Sequence, residues 1–260
     1  MRHEPERPAA LHSHWVRVNG WRMHYRAAGR GQRAVVLVHG LTVSGNYLLP
    51  TAELLDDFAV YVPDLPGFGA SEKPQRVLDI AEMAETLRAW MDAVGLQQAY
   101  LLGNSLGCHT VAAMAAHHRE RVSGTILVSP VGDPGGRSTL RLVMRALNDF
   151  AREPRSYWAI MLQDFFKVGL RRTVLTLRSL QQCRLEAWLP QVDVPALVVR
   201  GGRDRIVPVS WISQVVALLP QGRVGVIMDA GHVSNFSHPA RLAALVRAFV
   251  EGTDQSGGDR

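Results

Sequence analysis

The chain has 260 residues, 47% of them hydrophobic and 20% charged. That is enough apolar material for one large folded domain, and it excludes disorder, a coiled coil and a highly charged tail protein. The formal net charge is +6, but nearly every cation is Arg, with Lys only at Lys73 and Lys167, and no dense basic run exists, so nucleic acid is not an expected partner.

Residues 1–13 and 253–260 are rich in Pro, Gly, Ser and charge and read as flexible termini around a single domain at 14–252. The polar, Pro-containing start has no apolar stretch of signal-peptide length. No segment approaches the roughly 18 apolar residues of a membrane span. A cytoplasmic chain without an integral membrane segment is expected.

Residues 14–18 and 21–25 alternate in character around Asn19-Gly20, which predicts a hairpin. Ala34–Val38 is a continuous apolar run that ends at His39-Gly40. A run this short and this apolar fits a strand buried on both faces, as in a parallel sheet. Similar runs recur at 58–62, 99–102, 124–128, 196–199 and 223–227. Helical spacing separates them: 80–94 has apolar residues at 80, 83, 84, 87, 90, 91 and 94, and 106–117 and 242–250 read the same way. Strands alternating with helices predict an α/β class with a mostly parallel sheet.

The alternation breaks at about 131–190. Three helical stretches follow one another there, at 138–151, 155–168 and 170–182, punctuated by Pro154, Gly169 and Pro190. This pattern predicts a helical cap inserted between two strands. The segment carries ten Arg or Lys and five Asp or Glu, a net +5. Such charge serves as a solvated helical face, as steering for an anionic substrate, or as a loose membrane contact.

The strongest chemical signal is Gly103-Asn104-Ser105-Leu106-Gly107, placed after one apolar run and before a helix. A strand–turn–helix with small flanking residues lifts the central Ser hydroxyl clear of the sheet, as a nucleophile elbow does. A serine hydroxyl needs a base, and the base needs a group that fixes its tautomer. Asp204 follows the run at 196–199, and His232 follows the run at 223–227 in Asp229-Ala230-Gly231-His232. Ser105, Asp204 and His232 therefore fall at strand C-termini, the edge where sites assemble in open parallel sheets.

These motifs resemble those of the α/β-hydrolase superfamily over about residues 15–250. Val38-His39-Gly40 resembles its His-Gly turn, and Asp64-Leu65-Pro66-Gly67-Phe68-Gly69-Ala70-Ser71 its D-x-x-G-x-G-x-S loop. The resemblance implies the α/β-hydrolase fold: a mostly parallel eight-stranded sheet flanked by helices, with an inserted helical cap. It also implies an oxyanion hole built from the amide N–H groups of Leu106 and Leu41, with Thr42 as a rival for the second donor.

Several residues compete for these roles. His39 is read as shaping the turn. Asp229, three residues before His232, and Asp133, after the run at 124–128, are rivals to Asp204. His109, His117 and His118 lack a Cys or carboxylate partner that would complete a metal set, so no metal is expected, and without a P-loop or dinucleotide fingerprint no cofactor is expected. Cys108 and Cys183 are too few for a disulfide framework. The resemblance points to cleavage of a carboxylic ester or related acyl bond in a small-molecule substrate, with an anionic one compatible with the basic cap. The meta-cleavage-product C–C hydrolases share the Gly-Asn-Ser-Leu-Gly elbow, but the loop Leu41-Thr42-Val43-Ser44-Gly45-Asn46 lacks their G-x-G-P-G stretch. Thioesterase, lactonase and non-catalytic ligand binding complete the alternatives. Nothing in the sequence sets an oligomeric state.

Overall fold

A computed structural model describes residues 10–134, 139–150 and 153–257. Eight strands form one sheet: β1 (His12–Val18), β2 (Trp21–Ala28), β3 (Ala34–Val38), β4 (Ala59–Pro63), β5 (Ala99–Asn104), β6 (Val122–Val128), β7 (Ala196–Gly201) and β8 (Gly222–Ile227). Their spatial order is β1-β2-β4-β3-β5-β6-β7-β8. β2 runs antiparallel to β1 and β4, and every later pairing is parallel.

The helices are α1 (Leu49–Ala52), α2 (Ile80–Ala93), α3 (Gly107–His117), α4 (Thr139–Phe150), α5 (Arg155–Val168), α6 (Leu170–Gln182), α7 (Leu185–Trp188), α8 (Val209–Leu218), α9 (Ser234–Ser237) and α10 (Pro239–Gly257). β3 is buried along its whole length, and its residues divide by parity: Val36 and Val38 join the core beneath α2, α3 and α8, while Val35 and Leu37 join the core beneath α1 and α10. The period of two in a strand thus feeds two cores, one on each face, and this explains the unbroken apolar runs. α2 starts at a capping box: Asp79 Oδ1 accepts the Glu82 amide, and the Glu82 carboxylate accepts the Asp79 amide.

The strands, α2 to α6 and the start of α10 lie where the sequence pattern puts them, within a few residues, while α8 lies in a segment for which the pattern predicts no helix. α4 to α7 lie between β6 and β7, where the alternation breaks. The termini differ from expectation. β1 already begins at His12, where Ser13 Oγ meets His24 Nε2, and α10 continues to Gly257. Thr253 anchors that last part, because its Oγ1 donates to the Val250 carbonyl and meets the Tyr100 hydroxyl. Polar composition alone does not reveal such anchoring. Residues 1–9 and 258–260, also assigned to the termini, lie outside the described residues. Among the described residues no helix is long and apolar enough to cross a membrane, and no group of three His, Cys, Asp or Glu could hold a metal ion.

Candidate active site

Ser105 sits between β5 and α3 with φ +56°, in the left-handed region that L-residues seldom occupy. Such a conformation costs about 1–3 kcal/mol and persists only where the surroundings impose it. Here the Ser105 amide donates to the Val128 carbonyl at 3.0 Å, extending the β5–β6 pairing through the turn. Gly107 is required by crowding, since a Cβ there would meet the Val38 carbonyl oxygen at 2.3 Å. Leu106 is the N-cap of α3, and Cys108 is a buried thiol that donates to the Gly103 carbonyl and is pushed up in pKa by burial.

Asp204 and His232 arrive on two loops that touch. The Gly202 amide donates to Ile227 and the Arg203 amide to Ala230. A Cβ on Gly201 would meet the Gly231 carbonyl oxygen at 2.1 Å, so the crossing tolerates no larger residue. Asp204 Oδ1 accepts the amides of Ile206 (2.8 Å) and Val207 (3.0 Å), which aims Oδ2 at His232 Nδ1, 3.1 Å away. A carboxylate only accepts, so Nδ1 carries the proton and Nε2 is left as the basic nitrogen. Burial raises the Asp204 pKa, but His232, helped by the Val207 amide and Ser129, outweighs it and holds the carboxyl below its usual value. Burial pulls His232 down, but Asp204 prevails, helped by Asp149 and Glu153, and the imidazole ends above its usual value.

A second network aligns the floor. The Tyr47 hydroxyl accepts the Gly40 amide (2.9 Å) and donates to Asn104 Oδ1 (2.8 Å), while Asn104 Nδ2 donates to the Val128 carbonyl. It joins the His-Gly turn to the elbow. His39 has both ring nitrogens engaged, Nδ1 with the Gly40 carbonyl and Nε2 with the Leu65 amide, which fits its reading as a turn-shaping residue.

Ser105, His232, Leu41 and Thr42 share one cavity of about 210 Å³, walled by Met161, Leu180 and other mostly apolar groups. A small recess continues from it past Leu180 toward Asp133 and Cys183. The rivals lie elsewhere. Asp229 pairs with the exposed Arg203 and Arg241, and Asp133 pairs with Arg145 at 2.9 Å. His109 is buried, bonded to the Val131 carbonyl and Cys183, and burial pulls its pKa down to about 4. Arg172 bonds the Pro74 carbonyl, and neither it nor Arg171 lines the cavity.

Two acidic residues of the cap were not singled out by any sequence pattern. Asp149, near the end of α4, accepts the amides of Arg205 (3.0 Å) and His232 (3.3 Å). Glu153 accepts the amide of Val233 at 3.2 Å and is pushed up to about 7 by burial, with Asp149 nearby. Both loops that carry Asp204 and His232 are therefore tied to the cap. An Asp near the end of a helix and a Glu in the bend that follows otherwise read as solvated surface.

Residues 35–245 match the model of the alpha/beta hydrolase family. A Burkholderia vietnamiensis protein named 2-hydroxy-6-oxononadienedioate/2-hydroxy-6-oxononatrienedioate hydrolase is 27% identical over 263 residues, spanning 88% of this chain and 91% of its own. The solved structure of a bacterial membrane phospholipase A is similar with a TM-score of 0.80 at 28% identity, covering 94% of this chain and 87% of that one. An esterase from Thermogutta terrifontis shares the fold with a TM-score of 0.79 at 24% identity, covering 93% and 99%.

Proposed function

The chain belongs to the alpha/beta hydrolase family, and from that premise we propose that it is a serine hydrolase cleaving a carboxylic ester through an acyl-enzyme on Ser105. The observation that carries this reading is His232 Nδ1 at 3.1 Å from Asp204 Oδ2, in a cavity that Ser105 also lines. Ser105 Oγ attacks the carbonyl carbon while His232 Nε2 takes its proton. The tetrahedral oxyanion is held by the amides of Leu106 and Leu41, donors worth about 10²–10³ in rate each. Thr42, at φ +62°, remains the alternative second donor. Collapse expels the alcohol, which takes the proton from His232. Water then attacks the acyl-enzyme by the same proton route and frees the acid and Ser105.

The walls favour an uncharged acyl group. No Arg or Lys is among the described residues that line the cavity. This weighs against the second reading, C–C hydrolysis of a dioate, which the name of the Burkholderia relative favours. Two carboxylates would need cationic partners there. Thioesters and lactones present the same activated carbon and belong in the substrate screen.

The test is p-nitrophenyl butyrate hydrolysis by the wild type and by Ser105→Ala, matched by circular dichroism. Turnover that disappears in the variant supports the reading. Turnover that persists removes Ser105 as the nucleophile.

A further inference from the structure

We propose that the outer face of the α5–α6 hairpin is a docking surface for an anionic phospholipid bilayer. On a helix of a soluble domain, the outward positions one turn apart are normally polar. On α5 those positions are Leu162 and Phe166, 48% and 78% exposed. On α6 they are Leu170 and Val174, 66% and 37% exposed. The two helices meet at Gly169, so Phe166 and Leu170 flank a single corner. α4 adds exposed Met144 and Leu147 to the same cap. Apolar side chains gathered in this way mark a surface that something covers.

Charge decides what covers it. Arg155, Lys167, Arg171 and Arg178 are all exposed on the hairpin. The only carboxylate between residues 155 and 182 is Asp164, which is fully buried and accepts the amide and hydroxyl of Ser44. The outer face therefore carries apolar groups and cations without an exposed anion. A second copy placed on it by a two-fold axis would oppose cations to cations. An anionic bilayer satisfies both properties: apolar side chains enter the acyl boundary while Arg and Lys meet the headgroups.

The hairpin also connects this surface to the candidate site. Tyr157 and Met161 of α5 and Leu180 of α6 turn inward and line the Ser105 cavity. Docking would thus hold the cavity wall at the lipid surface. The binding itself does not depend on the chemistry at Ser105.

The experiment is co-sedimentation of the full chain with phosphatidylcholine vesicles, with and without phosphatidylglycerol. Binding is expected only when phosphatidylglycerol is present, weakening as salt is added. Phe166→Ser with Leu170→Ser should lower it by about tenfold or more, and so should Lys167→Glu with Arg171→Glu. None of these residues lines the cavity, so turnover of a soluble ester should be unchanged, which also shows that the variants fold. Equal binding to both vesicle types, no binding, or binding indifferent to both pairs of substitutions would overturn the proposal. So would a dimer, seen by sedimentation velocity and broken by the apolar substitutions, in a chain that ignores vesicles.

Discussion

The sheet edge and the helical cap build the same cavity in different ways. At the sheet edge, position follows from backbone. Ser105 is fixed by a pairing hydrogen bond to Val128, and the loops carrying Asp204 and His232 interlock through amides and through a Gly201–Gly231 contact with no room for a Cβ. In the cap, position follows from side chains that reach long distances: Asp164 to Ser44, Asp149 to Arg205 and His232, and Glu153 to Val233. The floor is over-determined by backbone pairing and by the Tyr47–Asn104 hydrogen bonds. The cap is held by three buried carboxylates, Asp149, Glu153 and Asp164, that accept hydrogen bonds from the loops beneath. An elbow fixed by backbone thus sits beside a roof fixed by side chains.

Mutations should separate the two regions. The largest effect is expected at the floor: Ser105→Ala should cut ester turnover by about 10⁴-fold or more, with the melting curve unchanged. Asp204→Asn should follow with a loss of about 10⁴ in kcat, because the imidazole would lose the carboxylate that fixes its tautomer. Gly201→Ala should destabilise the fold by about 2 kcal/mol or more in urea titrations, since the new Cβ has no space. An unaffected Gly201→Ala protein would mean that the two loops do not interlock as described.

The cap should answer more weakly and with pH. His232 must be neutral to accept a proton, and its pKa lies above 6.5, so kcat/KM should rise with pH through a limb above that value. Asp149→Asn removes one of the charges that hold His232 up. It should move the limb to lower pH, a shift that packing damage alone would not cause.

Glu153 gives the smallest effect and one of opposite sign. Its folded-state pKa, about 7, lies above the ordinary 4.5. Its contribution to stability is therefore fully present below pH 4.5 and lost as pH rises through about 7. Glu153→Gln should match the wild type near pH 4.5 and become progressively more stable than it as the pH rises through about 7 toward about 8. Urea titrations at the two pH values would show it, and a difference that does not grow with pH would remove Glu153 from this role.

The legibility of the sequence follows the same division. β3, β5 and the elbow at Ser105 are legible because local pattern fixes them: apolar runs, small residues at a turn, and position at strand ends. α8 is not, although Ser210, Ser213 and Gln214 share its exposed face and Trp211, Ile212 and Val215 its buried one, because ten residues with three polar side chains give only a short helical pattern. Asp149 and Glu153 were invisible for another reason. Their partners are 56 to 83 residues away in the chain, and an Asp near a helix end and a Glu before Pro154 carry no local signal of those partners. The basic charge of residues 131–190 was visible, but its separation into exposed cations on α5 and α6 and a buried Asp164 was not.

The central claim is that Ser105 is the nucleophile, and it is tested most directly by covalent capture. The protein would be treated with an alkyl fluorophosphonate and digested, and the adduct located by peptide mass. One phosphonyl group on the peptide containing Ser105 is expected, with labelling much slowed in His232→Ala. An adduct on another residue, or none in a preparation that still turns over the ester, would contradict it.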